Sequence, residues 1–191
     1  MNKISLIALI GPSGSGKDTL LKQLKKECPK QFNYIKNTTT RPKRNKDDND
    51  YIFMSEEEFA LKALHGEFVE TSEFNGWFYG TDYTQLSLNK INIGIFNLEG
   101  LKELLDEVLY HIDVYIIYIK SSDKARLLRQ LNRQDNPDVN EIVRRFSADK
   151  KDFAEPLPFY YICYHNEKEK DINKFVDFIQ TASKNLEDEN E

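Results

Sequence analysis

The sequence predicts an α/β fold, a parallel sheet covered by helices on both faces. Three observations predict it. Apolar runs of strand length alternate along the chain with segments of helical period, and strands buried on both faces read as continuous apolar runs. A glycine-rich segment, GPSGSGK at 11–17, falls where the first strand gives way to the first helix, at the end of a sheet where ligands of such folds bind. The length, 191 residues, suits one domain that buries roughly 70% of its unfolded surface and needs no covalent staples.

Taken in order, ISLIALI (4–10) reads as a buried strand and KDTLLKQLKKEC (17–28) as the helix after it. INIGIFNL (91–98) is a second strand, followed by the helix EGLKELLDEVL (99–109). DVYIIYI (113–119) leads into DKARLLRQLNR (123–133), and FYYICY (159–164) into KDINKFVDFIQTAS (170–183). Two segments break this rhythm. Residues 37–87 are polar and aromatic with short strand-like pieces, and read as an inserted lobe. Residues 126–156 are rich in arginine and carry a turn at QDNPD, and read as a lid of two helices joined by a mobile loop. The single domain, 1–191, thus divides into a core (1–36, 88–125 and 157–185), the insert, the lid and an acidic, frayed tail (186–191).

The composition excludes several classes. Cys28 and Cys163 are too few for a disulfide framework and show no metal-ligand spacing, so they read as reduced thiols. The apolar start is too short for a signal peptide, and no later run could span a bilayer, which points to the cytoplasm. A formal net charge of −5 argues against general nucleic-acid binding. His65, His111 and His165 share no motif spacing and read as surface or boundary residues. Trp77 and Phe78 read as packing for the insert.

GPSGSGK fits the pattern G-x-x-x-x-G-K through Gly11, Gly16 and Lys17. Glycine lets backbone N–H groups close on phosphate oxygens, and the helix that follows adds positive potential. The whole loop (Gly11, Pro12, Ser13, Gly14, Ser15, Gly16, Lys17) with Asp18 and Thr19 is therefore the candidate ATP site, with Lys17 bridging the outer phosphates. This implies a P-loop NTPase fold. Asp18 stands where such loops usually carry a hydroxyl that ligates magnesium. Two readings stay open for it: a hard-cation ligand, or a favourable acid in the first turn of a helix.

The insert adds a second anion site. NTTTRPKR supplies Arg41 and Arg44, DNDYIF supplies Tyr51, and GEFVETSEFNGWFYGT supplies Glu70, Tyr79 and Thr81. Guanidinium forks and phenol hydroxyls suit a phosphate, although alone they would equally suit a solvated basic turn with core tyrosines.

In order and spacing, GPSGSGK, TTRPKR, DYIF, FVE and YGT resemble the guanylate kinase family, and the resemblance covers nearly the whole chain. It implies ATP-dependent phosphorylation of GMP or dGMP to the diphosphate with Mg²⁺, a step of purine nucleotide metabolism carried out by a monomer or homodimer. It implies that Arg41, Arg44, Tyr51 and Tyr79, with Gly80 and Thr81, hold the acceptor monophosphate and that Glu70 reads guanine. It also implies that Arg129, Arg133 and Arg144 or Arg145 of the lid neutralise charge in transit, and that Asn166 sits near the adenine. The sequence departs from the family's pattern at Asn37, usually serine, and at Asn97, usually aspartate; both touch the base, so base preference is expected to be looser or different. Asp47 replaces a glutamate, and two residues are missing before Asp50. The loop also resembles that of ribose 1,5-bisphosphate phosphokinase, which leaves a non-nucleotide acceptor as an alternative. Guanylate-kinase-like domains that act as non-catalytic binding modules are a third reading; the intact Gly11, Gly16 and Lys17 oppose it.

Overall fold

The computed structural model describes residues 3–43, 46, 48–74, 76–107, 111–133, 137–167 and 172–188. Five strands form one parallel sheet: β1 (Ile4–Ile10), β2 (Asn33–Tyr34), β7 (Asn92–Ile95), β8 (Ile112–Lys120) and β9 (Ile162–His165), in the order β2-β7-β1-β8-β9. Central β1 pairs β7 with Leu6 opposite Asn92 and pairs β8 with Ile4 opposite Ile112. A four-stranded sheet lies in the insert: β3 (Thr38–Thr39), β4 (Ile52–Phe53), β5 (Phe68–Phe74) and β6 (Trp77–Asp82), in the order β4-β3-β6-β5. The helices are α1 (Lys17–Glu27), α2 (Glu56–Leu64), α3 (Leu98–Glu107), α4 (Asp123–Leu131), α5 (Val139–Asp152) and α6 (Ile172–Asp188).

Alternation along β1 accounts for the layers. Leu6, Ala8 and Ile10 pack with Leu101 and Leu104 of α3 on one face. Ile7 and Leu9 pack with Leu20 and Leu24 of α1 and Phe175 and Ile179 of α6 on the other. Every residue of the strand from Leu6 to Ile10 is buried, which is why its sequence is unbrokenly apolar. Adjacent strands β1 and β7 therefore send their following helices to opposite faces. A crevice opens between the carboxyl ends of such a pair, and it is the expected ligand site.

The four long strand–helix pairs match the sequence reading, with shifted ends. The run 91–98 contributes a strand only over Asn92–Ile95, because α3 begins at Leu98 with Asn97 accepting the Gly100 N–H. Helix α6 continues through Asp188, into the stretch expected to fray, and the rest of the tail lies outside the described residues. The first three residues of the QDNPD turn, 134–136, lie outside them as well. Two elements were not expected. Strand β2 is only two residues long and leaves no periodicity. Helix α2 is nucleated by a capping box, Ser55 accepting from the Glu58 N–H while the Glu58 carboxylate accepts from the Ser55 N–H.

Candidate active site

The phosphate loop joins β1 to α1 at the crevice. Gly16 is the residue before the helix, with φ 97°, and a Cβ there would lie 2.4 Å from Asn166 Nδ2. Only glycine takes that left-handed turn against that neighbour without strain. The loop is braced from behind. Asn166 Nδ2 donates to the Ser15 carbonyl (2.7 Å), Ser121 Oγ donates to the same carbonyl (3.2 Å), and the Arg129 guanidinium donates to the carbonyls of Gly14 and Ser15 and of Asn166. With its carbonyls tied back, the loop is free to turn N–H groups to the front. Lys17 Nζ lies over the loop, donating to the carbonyls of Gly11 and Pro12. Burial lowers its pKa, an effect that Asp18 and Asp149 partly oppose.

The opposite wall comes from β5 and β6. A register shift between Phe68 and Glu70 inserts an extra residue in β5. Such a bulge re-aims the side chains that follow. Val69 joins the core beside α3, and Glu70 pairs across the sheet with Thr81. Thr81 Oγ1 donates to Glu70 Oε1 (2.7 Å). Glu70 is 3% exposed, and burial pushes its carboxyl up to about 7 despite that hydrogen bond. Its other oxygen lies against the first turn of α3, where a Cβ on Gly100 would come within 2.1 Å. Alongside Glu70, Ser72 Oγ accepts from Asn97 Nδ2 (2.7 Å) and Asn37 Nδ2 donates to the Ile95 carbonyl (3.1 Å). Tyr79 and Tyr51 stand edge to face, 5.8 Å between ring centres.

The lid closes the third side. Arg145 reaches from α5 to within 6.0 Å of the Phe74 ring on β5, and its Nε donates to Glu141 (2.6 Å). Arg133 faces the cleft, and its guanidinium has no hydrogen-bond or ion-pair partner among the described residues. Together these walls enclose a cavity of about 1320 Å³. That exceeds the roughly 300–1,000 Å³ typical of a pocket for one small ligand.

The structure brings most of the expected residues to this cavity: Gly11, Ser13, Gly14, Gly16, Lys17, Asp18 and Thr19 on the loop side, Asn37, Tyr51, Glu70, Tyr79 and Asn97 opposite, and Arg129, Arg133 and Arg145 from the lid. Others lie elsewhere. Arg144 is on the outer side of α5, forked on Glu141 through Nε (2.7 Å) and Nη2 (3.0 Å), so Arg145 is the α5 arginine that enters the cleft. Arg41 is 5% exposed and bonded to Asp48 (2.9 Å) and to the Pro42 carbonyl (2.8 Å), with its guanidinium near the Tyr51 and Phe53 rings. Its Nε is buried with no hydrogen-bond partner among the described residues. Asn166 and Ser15 are buried behind the loop, and Gly80 and Thr81 behind Tyr79 and Glu70. Pro12 supplies a carbonyl to the Ser15 N–H (3.1 Å). Arg44 and Asp47 lie outside the described residues. The carbonyl of Asn97 is committed to the Gly100 N–H and its amide to Ser72, so Asn97 acts through Ser72 and the start of α3. Sequence reasoning missed Ser72, Gly100, Arg126 and Asp149. Only Arg126 left a signal, one turn before Arg129 on the same helix.

A phosphate loop at a parallel-sheet crevice, faced across one cavity by a second lobe with a buried carboxylate, defines a nucleoside monophosphate kinase of the P-loop class. The Guanylate kinase family model matches residues 3–182. The chain is 30% identical over 183 residues to guanylate kinase of Mycoplasma genitalium, covering 93% of this chain and 76% of that protein. It is 32% identical over 154 residues to the human guanylate kinase (76% of each) and 38% identical over 135 residues to that of Synechococcus elongatus (68% and 74%). A solved guanylate kinase from Anaplasma phagocytophilum superposes with a TM-score of 0.66 over 100% of this chain and 88% of that one, at 19% identity, which speaks to the fold alone. The chain belongs to the guanylate kinase family. Among the described residues no helix is long and apolar enough to cross a membrane.

Proposed function

We propose that the chain transfers the γ-phosphoryl group of ATP to GMP or dGMP, and that the cavity between the phosphate loop and β5–β6 holds both nucleotides. The observation that carries this reading is the placement of Lys17 and Glu70 on facing walls of one cavity. The loop N–H groups and Lys17 bind the donor phosphates. Tyr51 and Tyr79 line the acceptor side of the cavity and would give their hydroxyls to the acceptor phosphate; Arg41, here paired with Asp48 beside the Tyr51 ring, and Arg44 are the cations this reading assigns to it. Guanine presents N1–H and N2–H₂ as adjacent donors, and one carboxylate accepts both; adenine presents an acceptor at N1 and leaves Glu70 unpaired. An unmet buried polar group costs about 1–3 kcal/mol, which gives useful discrimination. Arg133 and Arg145 cover the charge that moves between the nucleotides, since phosphoryl transfer is mainly positioning and electrostatic stabilisation.

Magnesium fits the same reading. Asp18 is exposed at the mouth of the loop and makes no hydrogen bond or ion pair with a described residue. Among the described residues no cluster of three His, Cys, Asp or Glu could hold a metal alone. Magnesium takes one or two carboxylates and fills its shell with water and phosphate oxygens. Asp18 with the Thr19 hydroxyl would hold it, and it would supply positive charge that neutralises the donor phosphates. A cytoplasmic location and a monomeric or dimeric state belong to this reading.

The test is ATP turnover with a panel of GMP, dGMP, AMP, UMP, CMP and ribose 1,5-bisphosphate. GMP and dGMP are expected to dominate, and Glu70→Ala to erode that preference. Transfer to ribose 1,5-bisphosphate in preference to GMP, or ATP binding with no transfer, would reject the proposal. Asp18→Ser is expected to shift the magnesium titration; an unchanged titration removes Asp18 as a ligand.

A further inference from the structure

Two buried charges have no part in the reaction just described. Arg126 of α4 is 4% exposed. Its Nε donates to the Ser13 carbonyl (3.0 Å), Nη2 to Asp149 Oδ2 (2.7 Å) and Nη1 to Asp123 Oδ1 (3.2 Å), and its guanidinium lies 4.8 Å from the Phe146 ring centre. Asp149 of α5 is nearly as buried. The oxygen that meets Arg126 also accepts the Ser13 N–H (2.8 Å). Both backbone groups of one loop residue are therefore held by opposite ends of one ion pair, and the two ends come from the two helices of the lid. Charge-assisted bonds of this kind are roughly twice as strong as neutral ones.

We propose that Arg126 and Asp149 are a positioning pair, locking the outer limb of the phosphate loop to both lid helices so that the loop and the lid cations keep one register around the triphosphate of the phosphoryl donor. Asp149 lies one turn after Arg145 on α5, so residues on one face are tied together: fixing the first to Ser13 sets where the second stands over the cleft. Arg126 lies one turn before Arg129, whose guanidinium braces the carbonyls of Gly14 and Ser15. Neither residue of the pair hydrogen-bonds β5 or β6 among the described residues, so its direct hold is on the donor side. This inference rests on the loop being the ATP site.

The experiment measures equilibrium binding of ATP, and KM for ATP and for GMP, on the full chain and on Asp149→Ala, Arg126→Ala, the double variant and Asp149→Asn. Each alanine variant is expected to weaken ATP binding at least about tenfold, the scale of one lost charged hydrogen bond, with KM for GMP unchanged within about twofold. The double variant is expected to be no weaker than the weaker single, because the pair acts as one unit. Asp149→Asn keeps the size and one acceptor but loses the charge; it is expected to fall between the parent and Asp149→Ala, and it carries the test if the alanine variant fails to fold. A folded variant that binds ATP as the parent does, equal losses for ATP and GMP, or additive losses in the double variant would overturn the pair's role. A parent chain that binds no ATP would sink the donor-site reading and this one together.

Discussion

Glu70 sits 3% exposed with a hydroxyl donor on one oxygen and the backbone of α3 against the other. Burial has pushed its carboxyl from 4.5 to about 7. Two consequences follow at this scale, with opposite signs. Guanine needs the ionised form, so kcat/KM for GMP should decline as pH falls below about 7, toward about tenfold per pH unit. Glu70→Gln should remove that dependence together with guanine preference, because its amide sets a donor against donors; a pH limb that survives the substitution would assign it to another group. Stability runs the other way. A folded carboxyl with a raised pKa holds its proton, so its stabilisation is full below the ordinary 4.5 and lost as pH rises through about 7. The difference amounts to about 3 kcal/mol. Glu70→Gln should therefore raise Tm near pH 8 and change it little near pH 4, read by thermal melts without ligand. The carboxylate's identity as a candidate reader was legible from FVE and YGT. Its protonation behaviour was not, because the burial that sets it comes from strands and a helix distant in sequence.

At the scale of elements, the acceptor wall depends on how β5 and α3 meet. The bulge at Phe68–Glu70 turns Val69 inward to the core while Glu70 stays opposite Thr81, and Gly100 leaves room for the carboxylate at the start of α3. Gly100→Ala should drive Glu70 out of position, raising KM for GMP by about tenfold or more while KM for ATP holds, since a misplaced group in a preorganised site is costly. Steady-state kinetics with each substrate varied separately decides it. Helix α2 lies away from the cleft wall and is started by its capping box. Ser55→Ala should cost about 1 kcal/mol of stability and leave both KM values alone, measured by denaturant unfolding and the same kinetics. The long strand–helix pairs were legible because each repeats its period over enough residues. Strand β2 was not, being two residues long; helix α2, as long as α4, was not because Phe59 is its one buried residue while Leu61 and Leu64 are exposed, so no apolar stripe marks it, although Ser55 and Glu58 spelled the helix start.

Across the whole molecule, one sheet with α1 and α6 on one face and α3 on the other carries a loop, a lid and an insert around one cavity. Phe175 is fully buried beneath α1. Phe175→Ala should cost about 3–5 kcal/mol, seen as a lower urea midpoint with an unchanged acceptor preference; an altered preference would mean that this side of the core shapes the site. The local pattern of the chain determined the alternation of strands and helices, the phosphate loop and the residue types able to hold a nucleotide, because these depend on neighbours within a few positions. Tertiary structure alone decided that Arg145 and not Arg144 enters the cleft, that Asn97 is spent on Ser72 and Gly100, and that Arg126 and Asp149 grip Ser13. Which partner a polar side chain meets, and how much water it keeps, is set by packing between segments that the sequence separates by as many as 151 residues.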